Sequence, residues 1–126
     1  MQKDNEFKLQ QEVRGDRLVW IDCEMSGLSV ERDVLLEIAT IITDNNLNLI
    51  EEGRSIVIHQ ETIPSMHPDV EQLHKESGLL PKLKESTTVL SQAEAQTIAF
   101  IKKHCKEGQA PLCGNSVWQD KFFLIK

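Results

Sequence analysis

The chain has 126 residues, enough for one domain with a real core and too few for two. Charged residues make up 27% and hydrophobic ones 40%, a soluble globular composition. The net charge of −6 speaks against a broad basic surface tracking the many phosphates of a long nucleic acid, and leaves room for a short, metal-bridged substrate.

Residues 1–16 are polar and mixed in charge, without an apolar stretch of signal-peptide length, and read as a flexible leader to a domain over 17–126. No window approaches a membrane span. The cysteines Cys23, Cys105 and Cys113 form no C-x-x-C pair and have no histidine at zinc spacing, so free thiols in a reducing compartment are expected. The expected location is intracellular, cytoplasmic by default, with mitochondrion or nucleus as alternatives.

The first element is an apolar strand, Leu18-Val19-Trp20-Ile21, that runs straight into Asp22-Cys23-Glu24 and closes at Gly27. Alternation along a strand points Asp22 and Glu24 to one face and Cys23 to the other. Two carboxylates roughly 6–7 Å apart on one pleated face repel each other unless a hard cation or a proton lies between them, and oxygen donors of this kind suit Mg²⁺ or Mn²⁺. An acid-x-acid run at a solvated strand end looks the same when taken alone, so the assignment depends on acids elsewhere in the chain.

Ser29 to Asp33 reads as a polar connection and Val34 to Thr43 as a second, central strand, with Val34, Leu36, Ile38, Thr40 and Ile42 on one face and Leu35, Glu37, Ala39, Ile41 and Thr43 on the other. Glu37 is expected to pair with a nearby arginine. Asp44-Asn45-Asn46 makes a turn tolerant of left-handed backbone, and Leu47 to His59 returns as a third strand. The opening third is thus three neighbouring antiparallel strands with the acidic pair on the first. Gln60 to Pro68 is a loop, and Asp69 to Lys75 a short helix with Val70, Leu73 and His74 on adjacent turns. Pro81 to Thr88 is a short charged helical or irregular stretch. Ser91-Gln92-Ala93-Glu94 fits a capping box, opening a helix with Ile98, Ile101 and Cys105 at helical spacing against Lys102, Lys103 and Lys106. Pro111-Leu112-Cys113 reads as a buried strand parallel to an earlier one. A Gly114-Asn115 turn and a second capping box from Ser116 then open a helix with Asp120 in its first turns. Phe122, Phe123 and Leu124 pack inward from it.

A turn into a helix start offers unpaired N–H groups to phosphate oxygens, and Asp120 just beyond adds a third carboxylate to those of Asp22 and Glu24, a way to assemble a two-metal hydrolytic site. The segments VWIDCEMSGL, LLEIATIITDNNLNLIEEG, HKESGL and CGNSVWQDKFFL, in this order over Arg17 to Lys126, resemble the oligoribonucleases of the DEDD exonuclease superfamily, His-containing subgroup. The resemblance implies an α/β, ribonuclease H-like fold: a mixed sheet of three antiparallel strands and then a parallel one, flanked by helices, in a homodimer that trims very short RNA, dinucleotides above all, from the 3′ end. It implies metal-binding and catalytic roles for Asp22, Glu24 and Asp120. It assigns the terminal phosphate and substrate backbone to His74 and Ser116, and the terminal base to Met25, Gly27 and Leu28.

Two departures accompany the resemblance. Asp69 stands where the family usually has a tryptophan. The family's general-base histidine and fourth acid belong to a C-terminal helix that this chain, ending at Lys126, does not reach, so the last strand and C-terminal helices of the fold are expected to be missing and the 126-residue form to have little activity. His59, His67 and His104 are in the wrong context to replace that base and read as surface or strand-end residues. The competing expectations are an inactive dinucleotide-binding or dimerising module and, more remotely, an aspartyl-phosphate phosphohydrolase, which would need an aspartate in place of Glu24.

Overall fold

A computed structural model of the chain describes residues 16–106, 110–114 and 123–124. The positions Ser116 and Asp120 and nearly all of the leader lie outside the described residues. β1 (Arg17–Met25) is the pivot of a mixed sheet, pairing antiparallel with β2 (Leu35–Asp44) on one side and parallel with β5 (Leu112–Cys113) on the other. β3 (Leu49–Glu52) and β4 (Ile56–Val57) both pair antiparallel with β2, giving the order β3-β2-β1-β5 with β4 beside the far half of β2. Among the described residues three helices flank the sheet: α1 (Pro68–Glu76), α2 (Leu79–Glu85) and α3 (Leu90–His104). None of the described helices is long and apolar enough to cross a membrane.

Alternation along β1 sends Val19, Ile21, Cys23 and Met25 into the core under α3, while Asp22 and Glu24 take the opposite face. Ile42 and Ile58 are 0% and 1% exposed in that core, and fully burying such a side chain is worth about 1.5–3 kcal/mol. The expected faces of β2 hold from Ile38 onward but reverse before it. Leu35 joins Ile38 and Ile42 in the core, whereas Leu36 goes to a second cluster with Leu79 and Leu83 of α2, bordered by Val34 and Val57. The cause is a register shift between Glu24 and Met25, which adds a residue to the β2 side and re-aims the side chains beyond it. Directly opposed residues share a face, so Val57, opposite Glu37, places this second cluster on the carboxylate side of the sheet.

The third strand, expected as one run from Leu47 to His59, is broken in two at Gly53. Its N–H bonds to the Thr40 carbonyl at 2.8 Å, and a Cβ there would lie 2.7 Å from that same oxygen. In the turn before it the left-handed residue is Leu47, at φ 67°, and neither asparagine. The Asp44 carboxylate fixes the turn by accepting from the Asn46 and Asn48 N–H groups and the Asn48 amide, which hold its pKa below the usual carboxylate value, Asn48 contributing most.

α1 ends where Gly78 adopts φ 82°, and α2 begins at once at Leu79, two residues before the expected start. In α1 only His74 is buried and Leu73 is 60% exposed, because the adjacent position on a nine-residue helix points about 100° away. α3 starts at Leu90, with the Gln92 side chain accepting the Val89 N–H at 3.1 Å, so the capping reach lies two residues upstream of the expected box. Its inward line is Ala93 and Thr97 with Phe100 and Ile101 partly buried, and Ile98 stands at the rim, 43% exposed. β5 is parallel as expected, but Leu112 is 37% exposed, as an edge position allows. The arrangement is the ribonuclease H-like mixed sheet that the sequence anticipates.

Candidate active site

Asp22 and Glu24 occupy the C-terminal half of β1 on the face away from α3, Asp22 exposed and the Glu24 side chain 42% exposed. The register sets Ala39 opposite Asp22 and Glu37 opposite Glu24. A methyl group beside Asp22 leaves room next to its carboxylate, whereas two glutamates face to face are unfavourable without a compensating donor or cation. Glu37 has such a donor: the Ser55 hydroxyl bonds to its carboxylate, in place of the expected arginine. Carboxylate oxygens on one open face with a small opposing residue fit a hard divalent cation. Among the described residues, no group of three or more His, Cys, Asp and Glu is placed to hold a metal ion.

His74 is brought to this pair by α1. Its ring is 3% exposed, with Nε2 2.8 Å from the Met25 carbonyl and Nδ1 3.9 Å from a Glu24 carboxylate oxygen. A carbonyl only accepts, so Nε2 carries the hydrogen and Nδ1 faces the carboxylate. The remaining histidines serve elsewhere. His67 caps α1, its Nδ1 accepting the Asp69 N–H at 3.1 Å, and His104 is not a plain surface residue but bonds Glu51 across from α3 to β3.

Of the sequence-predicted positions, the structure thus gathers Asp22, Glu24, Met25 and His74, while Gly27 and Leu28 come next on the loop that leaves β1. Met25 is buried and contributes its carbonyl, whereas Leu28 is 68% exposed. Ser116 and Asp120 lie outside the described residues.

Sequence reasoning missed how this loop is held. Asp33, read as part of a polar connection, is 2% exposed and accepts from the Ser26 hydroxyl at 2.9 Å, the Ser29 N–H at 3.0 Å and the Arg32 guanidinium at 3.0 Å. The Ser26 N–H reaches the Val34 carbonyl at 3.0 Å and its hydroxyl accepts the Val34 N–H at 3.1 Å, so the loop is closed at its base. Gly27 packs on the Asp33 carboxylate so closely that a Cβ would lie 2.4 Å from Oδ2. No local pattern in the sequence separates this buried aspartate from an ordinary loop one. A separate cavity of about 780 Å³ lies on the other face of the sheet, under α3, among Ile21, Ile58, Leu90, Ile98 and Phe123. Its walls are mostly apolar, with Asp33, Gln60 and Glu94 among them, and it lies across the sheet from Asp22 and Glu24.

Comparison with known proteins bears on this geometry. The exonuclease family model RNase_T matches residues 19–126. The chain is 48% identical over 114 residues to an oligoribonuclease of Marinobacter nauticus, covering 89% of this chain and 63% of that protein. It is 49% identical over 114 residues to that of Streptomyces coelicolor, covering 88% and 56% of the two, and 45% identical over 111 residues to that of Haemophilus influenzae, covering 86% and 61%. The chain therefore spans a little over half of the length of these relatives. Among solved structures it is similar to the metal-free form of the E. coli ExoI–ssDNA complex, with a TM-score of 0.53 and 19% identity over 86% of this chain and 23% of that one, a likeness of fold alone.

Proposed function

The chain belongs to the exonuclease family, and from that premise we propose that it carries the metal-binding face of a 3′-to-5′ exoribonuclease that degrades very short RNA, dinucleotides above all, to mononucleotides. The observation that carries the reading is the pair Asp22 and Glu24 on the open face of β1, with buried His74 against Glu24 and the Met25 carbonyl.

In this reading Asp22 and Glu24, with Asp120 as a third acid, would hold Mg²⁺ or Mn²⁺. Such ions, when bound, supply a nucleophilic water at neutral pH and stabilise charge on the leaving oxygen. The chain's own residues provide orientation. His74 fixes Met25 and the base of the following loop through Nε2–H, and its Nδ1 edge lies beside Glu24, where the terminal phosphate would sit. Ser116 holds the substrate backbone. Met25, Gly27 and Leu28 receive the terminal base, Leu28 presenting its exposed side chain to an aromatic face. The net charge of −6 suits a substrate of few phosphates, since affinity then rests on the bridging metal and base contacts more than on a cationic track. The same family likeness suggests a homodimer as the working form, which sedimentation velocity would test.

The test is calorimetry with Mn²⁺ on the wild-type chain and on Asp22→Asn, followed by incubation of a labelled diribonucleotide with each in Mg²⁺ and in Mn²⁺. The expected result is a metal titration that the substitution abolishes without lowering the melting temperature, with metal-dependent conversion of the diribonucleotide to mononucleotides by a form extended beyond Lys126 and little conversion by the 126-residue chain. Identical titrations for the two proteins would remove the acid pair from the site. A diribonucleotide bound in metal yet stable for hours with the extended form as well would turn the assignment to a dinucleotide-binding module.

A further inference from the structure

We infer that Asp33 and Arg32 form a positioning clasp that sets the loop carrying Leu28 against the terminal base of the substrate, so that base recognition is governed by a buried carboxylate and the half-exposed arginine paired with it, neither touching metal nor phosphate. The inference rests on the functional reading above and adds residues that it does not assign.

Leu28 is a large aliphatic side chain, 68% exposed, a few residues beyond the carboxylate pair. An exposed leucine contributes to recognition only if its loop holds one conformation, because ordering a mobile loop on binding costs affinity. This loop is ordered from within. Asp33 gathers Ser26, Ser29 and Arg32 around one buried carboxylate, the Asp33 N–H returns to the Ser29 carbonyl at 2.7 Å, and Gly27 lies flat against the same carboxylate. It is also tied from without. The other arm of the Arg32 guanidinium bonds the Ser65 carbonyl, in the segment leading to α1. α1 in turn delivers His74 to the Met25 carbonyl at 2.8 Å. The result is a closed circuit from Met25 through Ser26, Asp33, Arg32, Ser65 and α1 back to Met25. It couples the place of Leu28 to the place of His74 and Glu24. Arginine suits the task because its planar fork serves an acid and a carbonyl at once.

The experiment measures binding, in Mn²⁺, of two probes: a labelled diribonucleotide with a non-hydrolysable methylenephosphonate linkage, and the same probe lacking its 3′-terminal base. The variants are Asp33→Asn, nearly isosteric, and Arg32→Gln, whose side chain is half exposed, so that folding is preserved and the Ser65 tie is lost. The clasp predicts that both variants bind the base-bearing probe about tenfold more weakly while the abasic probe changes less than about twofold, with Mn²⁺ titrations unchanged. In a Leu28→Ala background Asp33→Asn should then have no further effect. Equal weakening of both probes, or no weakening of either, overturns the clasp while leaving the functional reading in place. Failure of the wild-type chain to bind the base-bearing probe, with its Mn²⁺ titration intact, overturns the functional reading and the clasp with it.

Discussion

Replacing Gly27 by alanine separates two effects of opposite sign. Gly27 is not among the glycines with positive φ, so the backbone alone would favour Gly27→Ala by about 0.4–1 kcal/mol through a less flexible unfolded chain. The surroundings oppose it. A Cβ would sit 2.4 Å from Asp33 Oδ2, 2.8 Å from Cγ and 3.0 Å from Oδ1, where ordinary contact begins at 3.4 Å. The carboxylate would have to retreat by about 1 Å, and its bonds to Ser26 at 2.9 Å and Ser29 at 3.0 Å would stretch past hydrogen-bonding range. Hydrogen bonds to a charged group contribute about 1.5–3 kcal/mol each, so losing one and weakening the other, less the backbone gain, gives a net destabilisation of about 2–4 kcal/mol. With a urea m-value of about 2 kcal/mol/M this moves the midpoint down by about 1–2 M at constant m. Urea unfolding followed by circular dichroism measures it, and Gly27→Ala together with Asp33→Ala should cost less than the sum of the two, since the second change removes the obstructing carboxylate. A Gly27→Ala protein as stable as wild type, or more so, would refute the steric argument and with it the view that Asp33 is immobile.

Gly53→Ala meets the backbone oxygen of Thr40 at 2.7 Å and the Phe100 ring at 3.1 Å, and should cost about 2–4 kcal/mol by overpacking and loss of the Gly53–Thr40 bond; Phe100→Leu should not rescue it, because the oxygen stays, and thermal melts decide. Leu47→Gly should stabilise by about 0.5–1 kcal/mol, since Leu47 holds φ 67° with its side chain 65% exposed and loses little packing; an unchanged or lower urea midpoint would count against this. The His104 hydrogen bond, with help from Lys103, keeps the Glu51 carboxyl below its usual value, so this group stabilises the fold above the unfolded-state pKa near 4.5 and the contribution fades as pH falls through the lower folded-state value. Melting temperatures of wild type and Glu51→Gln should therefore differ more above the unfolded-state pKa than well below it, and parallel curves would reject the assignment.

Periodic interactions were the ones legible in the sequence. Alternation alone placed Asp22 and Glu24 on one face and Ile21 and Cys23 on the other, and the helix between the antiparallel strands and Leu112 implied the parallel return. The rest depended on tertiary contacts that no local pattern records. The exchange of Leu35 and Leu36 comes from a single inserted residue opposite Met25, the break at Gly53 from the approach of the Thr40 carbonyl, and the partner of Glu37 from the proximity of Ser55. His74 was identified through family likeness, but its seat against Met25 and Glu24 exists only once α1 has docked. The role of Asp33 was illegible because a buried aspartate and a loop aspartate are the same letter.

The pairing of β1 with β5 bears on the order in which this fold assembles. β1 meets β2 across the short loop between Met25 and Leu35, while among the described residues it pairs with β5 through Val19 with Leu112 and Trp20 with Cys113, after most of the chain has intervened. Closing the longer loop costs about 2 kcal/mol more in chain entropy, by the logarithmic law, and returns two residue pairs in place of a full ladder. The antiparallel meander with Asp22 and Glu24 therefore forms early, and β5 docks late and opens first, through local fluctuations that leave the meander intact.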